Sequence, residues 1–550
     1  MYIRTVEIDN YRTFRHVVLQ LEQSANYMVG DNNIGKSNFL DLLNQTSRGY
    51  GFRESDFLDP EKPVKAAFTL RDGESGEEAV IELSQTVREA VPTLRNKATG
   101  ERLPLEYIRR MYCIRHTLEE APRNMLGSGE FEEIHRLFQT CLEGGKEVSE
   151  AVLEMGRLLG VDEPFSQDPR AAALQLMYAI YGSDDESRYQ RDNMQIMAAM
   201  GVHLMIRLME KKESRAVPFE EIVTTNRKGK RCLPVLVCID EPELHLHPYL
   251  QRAALSYCRR ILSNKEPFFL EMVQKVLGID GLEGQLFVVT HSTDALVNDY
   301  RRIIRLYRDK TGEVAAACGA AFHFDSEMEK HLIMHFPEVK EALYGKAAIL
   351  VEGETEYGAF HLFAAAKHIY FDYYGICLIN ARGESSISKI AQLLRRFHIP
   401  SVSLYDRDVK GDRKEAPYIF YTDYICFEMD VVATCLARGQ RAILDRVVED
   451  MADVRSGDIL VSASLIRKAA AKLGLVKERY APRKLGHISG RDRKKLEFYY
   501  FAWLYGNKGV IAGRALGMQM KEADIPPSFQ RVIEGALRLA KADKSIKISC

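Results

Sequence analysis

Gly30-Asp31-Asn32-Asn33-Ile34-Gly35-Lys36-Ser37 fits the phosphate-loop pattern G-x-x-x-x-G-K-[ST] with no position missing. Its flanks suit the motif. Ile3–Ile8 and Tyr27–Val29 read as short strands, and Asn38–Gln45, carrying apolar Phe39, Leu42 and Leu43, opens a helix. A glycine-rich turn between strand and helix aims backbone N–H groups at one point, and the helix N-terminus adds partial positive charge. Gly30, Asn33 and Gly35 would shape that cradle, Lys36 would reach the β- and γ-phosphates of ATP, and Ser37 would ligate Mg²⁺. Just upstream, Asn10-Tyr11-Arg12-Thr13-Phe14-Arg15 reads equally well as a segment facing the nucleotide and as a surface turn.

The matching half of such a site lies far along the chain. Pro234–Ile239 is a continuous apolar run, as expected of a strand buried on both faces of a parallel sheet, and it ends in Asp240-Glu241-Pro242. Asp240 is assigned to the metal and Glu241 to the base that orients water. Gln285–Val289 is another such run, ending Thr290-His291-Ser292, which places His291 where it would sense the γ-phosphate. Lys36 and Asp240 are 204 residues apart, too few for long coiled-coil arms, and no sustained heptads intervene. Helical periodicity dominates 106–212, with apolar Met155, Leu158 and Leu159, then Met194, Met197 and Met200. Arg227–Arg231 reads as a basic, mainly solvated loop.

A second cluster begins beyond residue 340. Ala347–Val351 is a buried strand followed by Glu352-Gly353-Glu354-Thr355-Glu356 and a helix to about His368. Ile376–Ile379 leads into Asn380-Ala381-Arg382-Gly383 and a helix over 385–397. Ser401–Tyr405 ends in Asp406-Arg407-Asp408, with Val409-Lys410-Gly411-Asp412 next. Ile419–Phe427 is aromatic and β-prone and precedes Glu428-Met429-Asp430. Residues i and i+2 of a strand share a face, so Asp406 and Asp408 are expected to converge. In a parallel sheet all these carboxyl ends open on one edge. Four or more carboxylates there repel one another without a counter-ion. Oxygen-rich sites suit Mg²⁺ or Mn²⁺, and two such ions about 4 Å apart would clamp the attacking and leaving oxygens of a phosphodiester.

Composition bounds the rest. The 550 residues suggest about three domains. The net charge of −1 hides an asymmetry: residues 436–550 carry 23 Lys and Arg against 12 Asp and Glu, a formal +11, which leaves −12 for 1–435. A basic tail region that includes Arg483, Lys484, Arg491, Arg493, Lys494 and Lys495 points to a polyanion such as DNA. The ten cysteines show no zinc or disulfide spacing, no run reaches the ~18 apolar residues of a membrane span, and no signal-peptide pattern is present. A cytoplasmic protein is expected.

The set G-D-N-N-I-G-K-S, C-I-D-E-P-E-L-H-L-H-P and V-V-T-H-S resembles the ABC-type ATPase heads of the SMC/RecF/OLD group. In that group two heads sandwich ATP, and a signature loop from one completes the other's site. No L-S-G-G-Q-like string precedes Asp240; the nearest segment is Gly182–Ser187. ATP is therefore expected to gate or assemble more than to turn over. L-V-E-G-x-x-E with D-x-D resembles the Toprim domain of topoisomerases, primases and OLD-family nucleases. A Toprim unit behind an ABC-type head is the OLD arrangement. The resemblance implies metal-dependent DNA cleavage in a homodimer or higher homo-oligomer joined through the ATPase half. It also implies anti-phage defence of the Gabija or retron-linked kind, with a further protein or RNA partner possible. Carried over, the metal set is Glu352, Glu356, Asp406 and Asp408, with Glu428 or Asp430 as a further acid. Lys508, in Tyr505–Val510, would steady the phosphate.

The expected fold is α/β. An ATPase head is built from 1–105 and 226–335 around a helical, dimerising insertion at 106–225. A Toprim core at 340–435 and a basic helical region at 436–550 follow. Two alternatives stand beside the endonuclease: a RecF-like ATP-dependent DNA clamp that does not cut, and a Toprim enzyme acting on RNA. A topoisomerase is disfavoured, because no nucleophile stands out among the 26 tyrosines.

Overall fold

The apolar runs become strands close to where the sequence assigns them. The computed structural model describes the chain apart from residues 1, 73–75, 110, 117–130, 133, 137, 140–164, 182–192, 214–216, 227, 244–245, 410–415, 476–479 and 543–550. Gly182–Ser187, Met155, Leu158, Leu159 and Lys410–Asp412 thus lie outside the described residues. The chain forms two compact units, Met1–Phe322 and His323–Cys550.

The first unit contains two sheets. One is antiparallel: β1 (Tyr2–Tyr11), β2 (Phe14–Gln20), β4 (Val64–Arg71), β5 (Glu78–Gln85), β6 (Thr93–Asn96) and β7 (Arg102–Leu103), in the order β2-β1-β4-β5-β6-β7. The other comprises β3 (Ala25–Gly30), β8 (Tyr112–His116), β9 (Thr224–Thr225), β10 (Arg231–Asp240), β11 (Gly281–Val289), β12 (Ile303–Arg308) and β13 (Val314–Cys318). Its order is β13-β12-β3-β11-β10-β8, with β9 also on β10. All its pairings are parallel except β12–β13 and β9–β10. Every residue of β3 is buried, as both-face coverage requires. The helix Lys36–Arg48 buries Phe39, Leu40, Leu42 and Leu43 in a core shared with Phe68 of one sheet and Leu236 and Phe287 of the other. Gln285 fastens the sheets, exchanging two hydrogen bonds with the Ile3 backbone at 3.0 and 2.9 Å. The stretch 106–225 contributes helices Pro169–Tyr181 and Asn193–Glu213, and also β8 and β9.

The second unit is built on a four-stranded parallel sheet: β14 (Ala347–Val351), β15 (Ile376–Asn380), β16 (Ser401–Tyr405) and β17 (Ile419–Tyr421), ordered β15-β14-β16-β17. Helix Ser326–Val339 precedes it within the same unit. The basic stretch is not packed apart. Its helices Arg441–Ala452, Ala463–Lys472, Arg493–Gly506, Val510–Gln519 and Pro527–Ala542 share one core with the sheet, where Phe427 stacks on Phe529 at 4.6 Å. The β-prone reading of Ile419–Phe427 needs correction: the strand stops at Tyr421, and Phe427 opens the helix Phe427–Ala437.

Candidate functional site

In the first unit β3, β8, β10 and β11 all end on one edge, and the nucleotide-site residues gather there. Two glycines are fixed by space as well as by dihedral angle. Gly30 has φ 141°, and a Cβ there would meet the Leu306 carbonyl oxygen at 2.4 Å. Gly35 has φ 110°, and a Cβ would meet Thr13 Oγ1 at 2.3 Å. Asn33 also has positive φ, 58°. Lys36 donates to the carbonyls of Gly30 (3.0 Å) and Asp31 (2.8 Å), and burial lowers its pKa. Ser37 Oγ donates to Asp240 at 3.3 Å, joining the two halves of the site across 203 residues. His291 Nε2 lies 3.7 Å from Glu241. Glu241 has φ 49°.

Arg115 and Glu243 were given no role by the sequence reading, and Arg12 was left between two readings. Arg115, on β8, donates to Asp240 at 2.9 Å and pairs with Asp41. Arg12 binds Asp41 (2.6 Å) and Asp56 (2.8 Å), which ties the Tyr11–Phe14 turn to the phosphate-loop helix. Glu243 accepts from Thr290 Oγ1 at 2.7 Å and from the His291 N–H, bracing the end of β11. The C-I-D-E-P-E string contains Glu243 in plain view. Nothing in a five-residue strand flags Arg115.

In the second unit, Glu352 follows β14, Glu356 sits in the first turn of the helix Glu354–Ala366, and Asp406 follows β16. Gly353 caps that helix in extended backbone, and a Cβ there would stand 3.1 Å from Glu356 Oε2. Asp406 accepts from the Phe427 N–H at 3.2 Å, at the start of the next helix. Thr355 Oγ1 donates to Glu428 at 3.5 Å and accepts from the Gly509 N–H at 3.0 Å. Lys508, beside Gly509, is thereby anchored next to the acid-bearing helix, its Nζ over the Tyr505 ring at 5.0 Å. Helix Val510–Gln519 approaches that helix very closely. A Cβ on Gly513 would lie 2.0 Å from the Thr355 carbonyl oxygen, and one on Gly358 2.4 Å from that of Val510. The Gly513-x-x-x-Gly517 spacing was the available signal.

Electrostatics mark these acids out. Burial, then the charges of Glu352 and Glu428, push the Asp406 pKa up to about 8. Burial and the charges of Glu428 and Asp406 hold Glu356 well above the usual carboxylate range. Glu352 is raised by burial and Glu384, and its Oε2 is buried without a hydrogen-bond partner. An all-oxygen donor set with surplus negative charge and an orphaned oxygen fits a hard divalent cation. The acids act on one another electrostatically. Among the described residues, three ligand atoms close to within 4.8 Å of one another only at Glu7, Asp9 and His16. That trio is already paired, His16 with Asp9 (2.7 Å) and Lys97 with Glu7 (2.8 Å).

Two expectations change. Asp430 does not join the set: Asp423 N–H (2.8 Å), Tyr424 N–H and Ser528 Oγ (2.6 Å) occupy its carboxylate. Glu428 and Asp430 are on a helix, where i and i+2 point about 200° apart. Asp408 does not share a strand face with Asp406. The strand ends at Tyr405, and Asp408 sits in the 3₁₀ turn Arg407–Val409. Lys472 brings the two together, pairing with Asp408 and standing 3.9 Å from Asp406.

Arg483, Lys484, Arg491, Arg493, Lys494 and Lys495 are all exposed. Among the described residues no helix is long and apolar enough to cross a membrane.

The model of the "Overcoming lysogenization defect protein-like, TOPRIM domain" family matches residues 343–408, and that of the AAA ATPase domain matches residues 1–73. The DNA replication and repair protein RecF of Bifidobacterium adolescentis is 29% identical over 92 residues, 16% of this chain; the match spans 23% of that relative's length. Among solved structures, a RecF recombination mediator is similar at 14% identity over 57% of this chain and 98% of its own, with a TM-score of 0.31. The C-terminal region of the Xanthomonas campestris pv. campestris OLD protein is similar at 17% identity over 36% of this chain and 97% of its own, with a TM-score of 0.24.

Proposed function

We propose that this chain, which joins an AAA ATPase domain to an OLD-like TOPRIM domain, is an ATP-binding, divalent-metal-dependent DNA endonuclease of the OLD type. One observation carries the reading: Glu352, Glu356, Asp406 and Glu428 gather at one end of a parallel sheet with more negative charge than neighbouring protein groups neutralise. A protein that merely gripped DNA would gain nothing from acids aimed at a polyanion.

Mg²⁺ or Mn²⁺ held by these acids would polarise the phosphodiester and lower the pKa of the attacking water. The remaining roles belong to the chain. Asp406, its pKa pushed up to about 8, holds a proton at neutral pH while no cation neutralises it and would release it when one does, and burial beside Glu428 shifts Glu356 in the same direction. Thr355 fixes Glu428 on one side and Gly509 on the other, and Lys508, beside Gly509, would swing from the Tyr505 ring to meet a phosphate oxygen. The exposed basic residues of 483–495 supply sequence-independent phosphate contacts. In the ATPase unit Lys36 would bind the β- and γ-phosphates, Ser37 and Asp240 would hold Mg²⁺, Glu241 would orient water, and His291 would read the γ-phosphate. Nucleotide then acts chiefly as a gating ligand in a homo-oligomer, and cutting serves defence against invading DNA.

Nicking of supercoiled plasmid tests this, with each metal and with and without ATP. Absence of cleavage under every condition by a protein that still binds DNA would replace the nuclease with a clamp; cleavage confined to RNA would reassign the substrate. Loss of plaque protection on Asp406→Ala would support the defence role.

A further inference from the structure

The acid cluster already contains a cation. Lys472 is the last residue of the helix Ala463–Lys472, where the helix C-terminus favours positive charge. It pairs with Asp408 and stands 3.9 Å from Asp406 Oδ2. Its backbone is firmly placed. Ser462 caps the helix by accepting from the Leu465 N–H, and Ile466, Ala469 and Ala470 are buried in the unit's core. The ammonium thus sits on Asp408, while Glu352 and Glu428 act on Asp406, and Asp406 in turn on Glu356. Lys508, the lysine assigned from resemblance, lies over Tyr505 instead.

We propose that Lys472 fills the place of one of the two cations that the acid count would otherwise suit. On this view one divalent ion binds tightly through Glu352, Glu356, Asp406 and Glu428. Asp408 serves as the seat of Lys472 and not as a ligand of that ion. A second ion gains Asp408 only by displacing the ammonium, which is then free to contact a phosphate oxygen of the substrate. Lys472 is accordingly a positioning residue for the first ion and a barrier to the second. The inference rests on the nuclease reading of this edge and specifies how the edge is loaded.

The test is Mn²⁺ binding to the full chain without nucleotide, read from loss of the free-ion paramagnetic signal. Wild-type protein should take up one tight ion per chain at this edge. Lys472→Ala should tighten a second by about tenfold or more, the effect of removing one nearby positive charge, and Lys472→Arg should behave as wild type. Two equally tight ions in the wild type, or binding unmoved by Lys472→Ala, overturns the proposal. Asp408→Asn gives a check that does not need the lysine variant to fold. It should leave the tight ion within about twofold, and a loss of about tenfold would make Asp408 a true ligand and refute the assignment. No Mn²⁺ uptake by any form would instead defeat the metal site, and with it the nuclease reading.

Discussion

Both units end parallel strands in carboxylates, but they treat the resulting charge differently. In the first, Asp240 is met by Ser37 and Arg115, Asp41 by Arg115 and Arg12, and Glu243 by Thr290 and the His291 N–H. In the second, Lys472 answers Asp408 and leans toward Asp406, while Glu352 retains a buried oxygen with no partner and Glu356 faces further acids. At the first edge these acids each meet a donor from the protein; at the second, Glu352 and Glu356 are left mainly with one another and with further acids. A charge deficit held in place by a folded core is how a protein specifies a cation without naming it in any single residue.

The largest expected effect comes from deepening that contrast. Glu352→Ala or Asp406→Ala should cut plasmid nicking by about a thousandfold, a loss of several kcal/mol of transition-state stabilisation, while leaving ATP affinity alone. Retained cleavage in both would mean the deficit is not catalytic. The reciprocal substitution, Lys36→Ala, should weaken binding of a fluorescent ATP analogue by about a hundredfold and leave the melting of the second unit unchanged. Wild-type affinity would break the comparison from the other side.

Gly513→Leu should destabilise the second unit by about 2–3 kcal/mol, read as a lower melting temperature, since even a Cβ would overlap the Thr355 carbonyl. Asp430→Asn should cost about 1–3 kcal/mol of stability through the lost Ser528 and loop contacts, without altering Mn²⁺ uptake. Glu428→Gln should do the reverse, which separates a structural acid from a ligand two positions away.

The contrast also has a signature in pH. Asp406 has a folded pKa of about 8 against an ordinary value of 3.8, so between these the folded chain binds more protons than the unfolded one. Stability of the metal-free protein should therefore be fullest below about pH 4, as far as this group contributes, and should decline as pH rises through about 8. Added Mn²⁺ should flatten the slope. A metal-free melting temperature that climbs over this range would contradict the deficit.

Much of this was legible from the chain because the motifs sit at the ends of uninterrupted apolar runs. Pro234–Ile239, Ala347–Val351 and Ser401–Tyr405 are strands in the structure, and the residues that follow them reach the sheet edges. What stayed hidden depends on partners distant in sequence or on a change of period. Arg115 comes from a strand too short to announce itself, and Lys472 from a helix 64 residues beyond Asp408. Asp430 was misassigned because the period shifts from 2 to 3.6 between Tyr421 and Phe427, and aromatic content masks the shift.

The close crossing at Gly358 and Gly513 also has a bearing on timing. The helix that carries Glu356 is completed by a segment some 150 residues later, through Gly509 and the glycines that follow it. A nascent chain that has made its acidic turn but not yet its glycine helix lacks the fastening for Thr355, and so for Glu428 and Lys508. Any cutting centre assembled at this edge is therefore withheld during synthesis until the segment through about residue 517 has left the ribosome, by which time residues 1–322 have already been made.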